Sequence, residues 1–257
     1  MWPVIAYLRS PLRLILTLLV IACTLGMIRL GFWQLDRLQQ RRASNARMLA
    51  QMNAPVLELN LDPPSQSLTD FAYRSVKVTG VYDFSQQVYL KNQVWGNQLG
   101  VHLLTPLNIS GSSQAVLVDR GWIPFEDAVP GKVEQYDQPG QVTIAGVIHI
   151  QQSEPTFGGI SDPPLSPGQS RLQSWIVVNI DRIQKQVNYQ LLPIYIQQSP
   201  GPDSSQPPYR ALSAPDLTDG PHLSYAIQWF SFAAILLFGY PFIIRRQLRI
   251  QKQMIQG

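Results

Sequence analysis

Two apolar runs, one near each end of the chain, constrain the fold more than any other feature of the sequence. The first covers residues 12–30 and the second residues 225–244. A helix of about 20 mainly apolar residues crosses the hydrocarbon core of a bilayer. We therefore predict two transmembrane helices, a domain outside the membrane over residues 31–220, and a basic tail over residues 245–257.

The first apolar run has two readings. Basic residues before it and a small residue before Cys23 are also found in cleavable signal peptides, including a loose form of the lipoprotein signal. The apolar run nevertheless continues past Cys23 to Ile28 and joins a segment typical of an interfacial helix. This continuation favours a retained anchor, with cleavage as the alternative.

The residues that flank the second run predict the orientation. Asp216 and Asp219 precede Tyr225, whereas four basic residues follow Ile244. By the positive-inside rule the C-terminus is cytoplasmic, so two spans place the N-terminus there as well and the domain on the outer face. The basic run after Trp33 opposes this assignment. Because the N-terminus lacks a Ser- and Arg-rich presequence, we expect a multi-pass protein of a bacterial plasma membrane.

The middle of the chain is rich in short runs that alternate apolar and polar residues. Alternation with a period of two is the pattern of half-buried strands. Gly, Pro, Asn and Ser separate the runs, so we predict a mainly-β (α+β) domain built on an antiparallel sheet or a partly open barrel. The predicted strands are residues 75–80, 87–91, 100–107, 115–119, 142–149, 175–179 and 192–197.

Two helices are predicted around these strands. Residues 33–52 have helical spacing and mixed charge, which indicates an amphipathic continuation of the first span. Residues 180–189 also have helical spacing, and Pro193 is expected to end that helix.

The segment that opens the second span, residues 222–233, carries the strongest local signal. At 100° per residue, His222, Tyr225, Ala226, Trp229 and Ala233 share one helix face. A neutral imidazole at a membrane boundary can ligate haem iron, while aromatic side chains flank the ring and alanines leave room for it. The alternative is an interfacial helix start with an aromatic belt.

Two further segments contain candidate binding residues. Trp33 and Arg37 are neighbours on one helix face, where Arg37 can meet a haem propionate or a lipid phosphate. The alternative is an interfacial anchor with a cation above a Trp ring. Arg120, Gly121 and Trp122 close a strand and can either bind a partner or form a turn packed by Trp.

The sequence also disfavours several functional classes. Cys23 is the only cysteine, so neither an intrachain disulfide nor a CxxCH haem attachment site can form. His102 and His149 fall in strands, where structural roles are expected. We find no GxSxG, HExxH or phosphate-binding glycine loop, which argues against an enzyme. No basic face with interleaved aromatics appears, so nucleic acid is not an expected partner.

Taken in order, these blocks resemble the surfeit-locus family of cytochrome c oxidase assembly proteins. The resemblance covers nearly the whole chain, and its most specific block is the last. The matching segments are residues 31–37 (GFWQLDR), 80–82 (GVY), 100–107 (GVHLLTPL), 116–124 (VLVDRGWIP), 175–193 and 222–230 (HLSYAIQWF).

The resemblance implies an assembly factor of the haem-copper oxidase that binds haem a and aids its insertion into the catalytic subunit. It implies His222 as the ligand of the haem iron, with Trp33, Arg37, Tyr225 and Trp229 in the haem site. Arg120, Gly121 and Trp122 become partner-binding candidates. The family usually has Asn where this chain has Asp119, so that side chain is not expected to act directly.

The partners implied are the oxidase catalytic subunit, the enzymes of haem a synthesis and the lipid bilayer. Two other functions remain open at this point. One is a haem-independent membrane scaffold that stabilises an oxidase assembly intermediate. The other is a membrane-anchored hydrolase with an unrecognised site.

Overall fold

The computed structural model describes residues 10–60, 67–152, 159, 161–165, 168–201, 205–212 and 214–256. It divides into two compact units. The helical unit contains the chain up to Arg47 and again from Asp216, and the β unit contains residues 48–215.

The described chain contains three α-helices, α1 (Pro11–Met52), α2 (Ile180–Gln184) and α3 (His222–Gln256). Both α1 and α3 are long and apolar enough to cross a membrane. They have 42 and 35 residues, well above the roughly 20 that a bilayer core requires. The segment predicted to continue the first span is part of α1, which is unbroken through Met52.

In the helical unit, α1 and α3 contact each other along a seven-residue repeat. The buried residues of α1 are Thr24, Gly31, Leu38 and Asn45, and those of α3 include Ala226 and Ala233. A spacing of seven residues keeps one stripe of each helix against its neighbour, and small residues let the backbones approach.

Side chains of α1 and α3 contact each other at several positions along the length of the two helices. The rings of Phe32 and Phe230 meet edge to face at 5.3 Å. The hydroxyls of Thr17 and Tyr240 are 2.7 Å apart. A Cβ atom on Gly31 would lie 2.6 Å from the Phe230 ring, so only glycine accommodates this packing.

In the described part of the β unit, eight strands form one sheet. All of them except β1 are predicted in the sequence, with ends that shift by several residues. Their bounds are β1 (Leu57–Glu58), β2 (Ser75–Tyr82), β3 (Val88–Trp95), β4 (Gln98–Ile109), β5 (Gln114–Pro124), β6 (Gln141–Ile150), β7 (Ser174–Trp175) and β8 (Gln190–Gln198).

Five of these strands close into a barrel. The order β2–β6–β8–β5–β4 returns to β2 through an additional β2–β4 pairing. All barrel pairs are antiparallel except β5 with β8. The interior is filled by aliphatic side chains from alternate positions, including the fully buried Leu107, Val116 and Ile194. The predicted class, two membrane helices flanking a mainly-β domain, is confirmed, and the domain is a barrel with additional strands.

Two predicted elements differ in the structure. The helix expected over residues 180–189 is limited to α2, and Pro193 lies inside β8 instead of after a helix. Pro193 is tolerated there because the register between β5 and β8 shifts beside it, where no ladder N–H is needed. The strand expected over residues 175–179 is only Ser174–Trp175, because Asn179 accepts a hydrogen bond from Arg182 N and caps α2.

Candidate functional site

His222 is the first residue of α3, and its imidazole contacts α1. Nδ1 of His222 lies 2.9 Å from Oε1 of Gln34. An amide oxygen only accepts hydrogen bonds, so this contact places the ring proton on Nδ1. In a neutral imidazole the lone pair is then on Nε2. Histidines that ligate metals typically have this arrangement, in which the second ring nitrogen donates to a fixed acceptor.

Gly220 leaves space beside the Nε2 edge of this ring. Its φ of +67° lies in the left-handed region that favours glycine. A Cβ atom at this position would lie 3.7 Å from Nε2 of His222. The edge opens on a recess of about 380 Å³, lined by Arg37, Gln40, Arg41, Gly220 and His222.

The recess is positively charged. The Arg37 guanidinium donates to Oε1 of Gln40 at 3.2 Å, and within the described residues it makes no ion pair. Arg41 donates instead to the backbone oxygen of Asp216 at 2.7 Å and lies 3.1 Å from its carboxylate. Arg37 therefore has N–H donors available for an anionic group, whereas Arg41 already binds Asp216.

The segment before α3 is tied to α1 by the basic run that follows Trp33. Arg42 binds the Asp219 carboxylate at 2.8 Å, and Asn45 donates to the Leu217 oxygen at 2.7 Å. Because Arg41 and Arg42 are paired with Asp216 and Asp219, these arginines have a structural reason to lie beside the start of α3. This pairing gives two arginines of the basic run a structural role.

The predicted aromatic residues do not line the recess. Trp33 and Tyr225 are exposed, and the Trp229 ring packs at 6.4 Å from Phe232. Ala226 and Ala233 are 1% and 4% exposed on the stripe that carries Phe230 and Tyr240. The expectation that the alanines leave room for a ring is therefore wrong, since they leave room for α1.

Arg120, Gly121 and Trp122 form a β-bulge in β5. The pairs His102–Trp122 and Leu104–Asp119 leave one extra residue on β5. Gly121 has a φ of +115°, and a Cβ there would lie 2.6 Å from the oxygen of Tyr209. Arg120 and Trp122 are only 0% and 1% exposed, so the β unit itself encloses them. Their burial contradicts the prediction that these side chains contact a partner directly.

The bulge directs the Arg120 side chain toward a buried network of aromatic and polar groups. Its guanidinium lies over the rings of Tyr82 and Phe84, at 4.9 and 5.0 Å. It donates to Oε1 of Gln87 at 3.1 Å and to the oxygen of Tyr136, and it lies 3.7 Å from the Asp137 carboxylate. Burial lowers the pKa of Arg120 and raises that of Tyr82 to about 12.

The same bulge holds the chain segment that leads toward α3. Trp122 and Tyr209 exchange two backbone hydrogen bonds of 2.8 Å, and their rings stack at 5.9 Å. Arg210 donates to the oxygen of Arg120 at 2.8 Å. Arg120 and Trp122, which were predicted to bind a partner, therefore hold Tyr209 and Arg210 against the barrel.

His102 has the structural role predicted for it. Its Nδ1 lies 2.8 and 2.9 Å from the two carboxylate oxygens of Asp119. The same carboxylate accepts from the Gly121 amide at 3.0 Å. Asp119 thus links β4 to the bulge.

His149 makes the stability of the domain depend on pH. It packs between the rings of Tyr73 and Tyr195, at 5.4 and 5.3 Å, and burial lowers its pKa from 6.5. Near and below pH 6.5 the unfolded chain therefore binds more protons at His149 than the folded chain does. The contribution of His149 to the free energy of unfolding is fully present above pH 6.5 and is lost as the pH falls below it.

We expect His149→Phe to remove this pH-dependent part, which is at most about 1.4 kcal/mol per pH unit. Urea unfolding of the full chain in detergent at pH 7.5, 6.0 and 5.0 measures it. The free energy of unfolding of the wild type should decrease relative to that of the variant as the pH falls. A constant difference between the two would contradict the assignment.

Comparisons with known proteins identify the family of the chain. The model of the SURF1 family matches residues 21–234. An uncharacterised SURF1-like protein of Mycobacterium tuberculosis is 28% identical, over 99% of this chain and 92% of the relative.

Other relatives cover somewhat less of the chain. A SURF1-like protein of Rickettsia conorii is 25% identical over 87% of the chain and 89% of its own length. Surfeit locus protein 1 of Rattus norvegicus is 23% identical over 80% of the chain and 68% of its own length. Since the family model spans most of the sequence, the chain belongs to the SURF1 family, which is known for cytochrome oxidase assembly.

Proposed function

We propose that this protein is an assembly factor of the haem-copper terminal oxidase that binds haem a and aids its insertion into the catalytic subunit. One observation carries the proposal. His222 lies at the start of an apolar helix, and its Nδ1 is engaged by Gln34, so that Nε2 is the ring nitrogen available to a metal.

The residues of the recess fit the chemistry of haem. Haem a combines a large apolar surface with two anionic propionates, and it would supply the redox group of the oxidase. His222 Nε2 is the proposed iron ligand, and Arg37, with Arg41 behind it, is the proposed counterion of a propionate. The exposed Trp33 and Tyr225 and the half-buried Trp229 provide apolar surface on the same helices.

Release of a carried group favours few bonds to the protein. Among the described residues, no group of three or more His, Cys, Asp or Glu side chains could hold a metal ion. A single imidazole bond, supported by arginines at a solvent-facing recess, suits a carrier that must pass its cargo to the catalytic subunit. Enzymes of haem a synthesis are the corresponding proposed donors.

The proposed location follows from the two membrane helices. The four basic residues after Ile244 support a cytoplasmic C-terminus by the positive-inside rule. With two spans, the proposed position of the barrel and the recess is the outer face of a bacterial plasma membrane.

We expect His222→Ala to lose most of the haem that co-purifies with the full chain from cells that make haem a. The Soret absorbance per protein measures this loss. Gln228→Ala is the matched control, because Gln228 is exposed on the same helix and lies outside the recess. The control should retain the wild-type spectrum.

Unchanged haem occupancy in His222→Ala would remove His222 as the ligand. A preparation of the wild type without haem that still co-purifies the oxidase catalytic subunit would instead favour a haem-independent scaffold.

A further inference from the structure

The helix pair contains a second cavity, separate from the recess at His222. It is a groove of about 490 Å³ between α1 and α3. Its walls are mainly aliphatic and include Val20, Leu25, Ile28 and Leu237, and Arg245 lies at one end. None of its lining residues belongs to the proposed haem site.

The polar side chains in this groove are already satisfied. The Thr24 hydroxyl donates to the oxygen of Val20 at 2.8 Å, and the Thr17 hydroxyl meets that of Tyr240 at 2.7 Å. Hydroxyls engaged in this way present little polarity to a ligand. The long wall of the groove is therefore suited to hydrocarbon.

The length of the groove matches one leaflet of a bilayer. On α1 it extends from Thr17 to Ile28, a rise of about 16 Å at 1.5 Å per residue. Half of a hydrocarbon core of about 30 Å is nearly the same length.

The charge at its end indicates which lipid would bind. Arg245 lines the groove, and Arg246 and Arg249 follow on the same helix. Basic residues at the membrane boundary beside a groove between helices attract anionic head groups. We propose that the groove binds an anionic phospholipid, with one acyl chain along the aliphatic wall and the phosphate at Arg245.

The test measures lipid retained by the full chain after purification in detergent. The chain is equilibrated with equal amounts of phosphatidylglycerol and phosphatidylcholine, and native mass spectrometry counts the bound lipids. We expect about one phosphatidylglycerol, and Arg245→Gln should weaken its binding about five-fold, the factor expected for one interfacial cation. Val20→Trp, which fills the groove, should abolish binding.

Matched controls separate the groove from the membrane surface in general. Arg249→Gln removes a nearby charge that does not line the groove, and Leu19→Trp adds a ring at an exposed apolar position. Both should retain the lipid. Equal losses in Arg245→Gln and Arg249→Gln, equal retention of the two lipids, or no retained lipid would each overturn the proposal.

Discussion

Arg120→Met is expected to lower the free energy of unfolding of the protein by about 3 kcal/mol, the upper end of the scale for removing a charged hydrogen-bond donor from a buried site. The variant leaves the Tyr136 oxygen without its donor and Asp137 without its cation. It also removes the cation over the rings of Tyr82 and Phe84. Urea unfolding of the full chain in detergent measures the loss.

Arg74→Met provides the matched control for this change. Arg74 also places its guanidinium over an aromatic ring, that of Phe71 at 5.2 Å, and donates to the Pro55 oxygen. It is partly exposed, so its replacement should cost less than about 1 kcal/mol. Equal losses in the two variants would contradict the view that burial makes the Arg120 network critical.

Gln34→Leu is expected to weaken haem binding about 10- to 100-fold, the range found when an outer partner of a metal ligand is removed. Without the acceptor, the His222 ring loses the contact that fixes its tautomer and orientation. Gln34→Glu keeps an acceptor at this position and should retain most of the affinity. Titration of haem into the haem-free full chain, followed by absorbance, measures each affinity.

Gln39→Leu is the control for this series, because Gln39 is exposed on the same helix and lies outside the recess. Its replacement should have a small effect. If Gln34→Leu bound haem as tightly as the wild type, the contact between Gln34 and His222 would have no part in ligation.

Local patterns in the sequence predict most of the secondary structure. The membrane helices follow from long, mainly apolar runs, and the strands follow from the alternation of apolar and polar residues. Pro193 was expected to end the helix over residues 180–189, but that helix ends at Gln184 and Pro193 lies in β8, where the register shifts. Closure of the barrel depends on the β2–β4 and β5–β8 pairings, which join distant segments and leave no local signal.

The candidate site was only partly predictable for the same reason. His222 and Arg37 stand out by residue type and position at the ends of the apolar runs. Gln34 contacts His222 from 188 residues away, so only the antiparallel packing of α1 and α3 reveals it. Its signal in the sequence is a neutral polar residue at a membrane boundary, within a block that already contained Trp33 and Arg37.

Burial of Arg120 had no signal in the sequence either. Arginine is seldom fully buried unless it is paired, so an arginine at a strand end suggests an exposed binding residue. Its partners Gln87, Tyr136 and Asp137 come from two turns, which are distant in sequence and which the fold brings together. The glycine that follows it was the better clue, because a positive φ at Gly121 marks the bulge.

The central claim is that Nε2 of His222 ligates haem iron, and imidazole rescue tests it most directly. The full-length His222→Gly variant is purified from cells that make haem a, and its Soret spectrum is recorded before and after imidazole is added with haem. We predict little bound haem at first and recovery of a ligated spectrum with imidazole, which occupies the space of the missing ring. A wild-type spectrum in the variant without imidazole would contradict the claim.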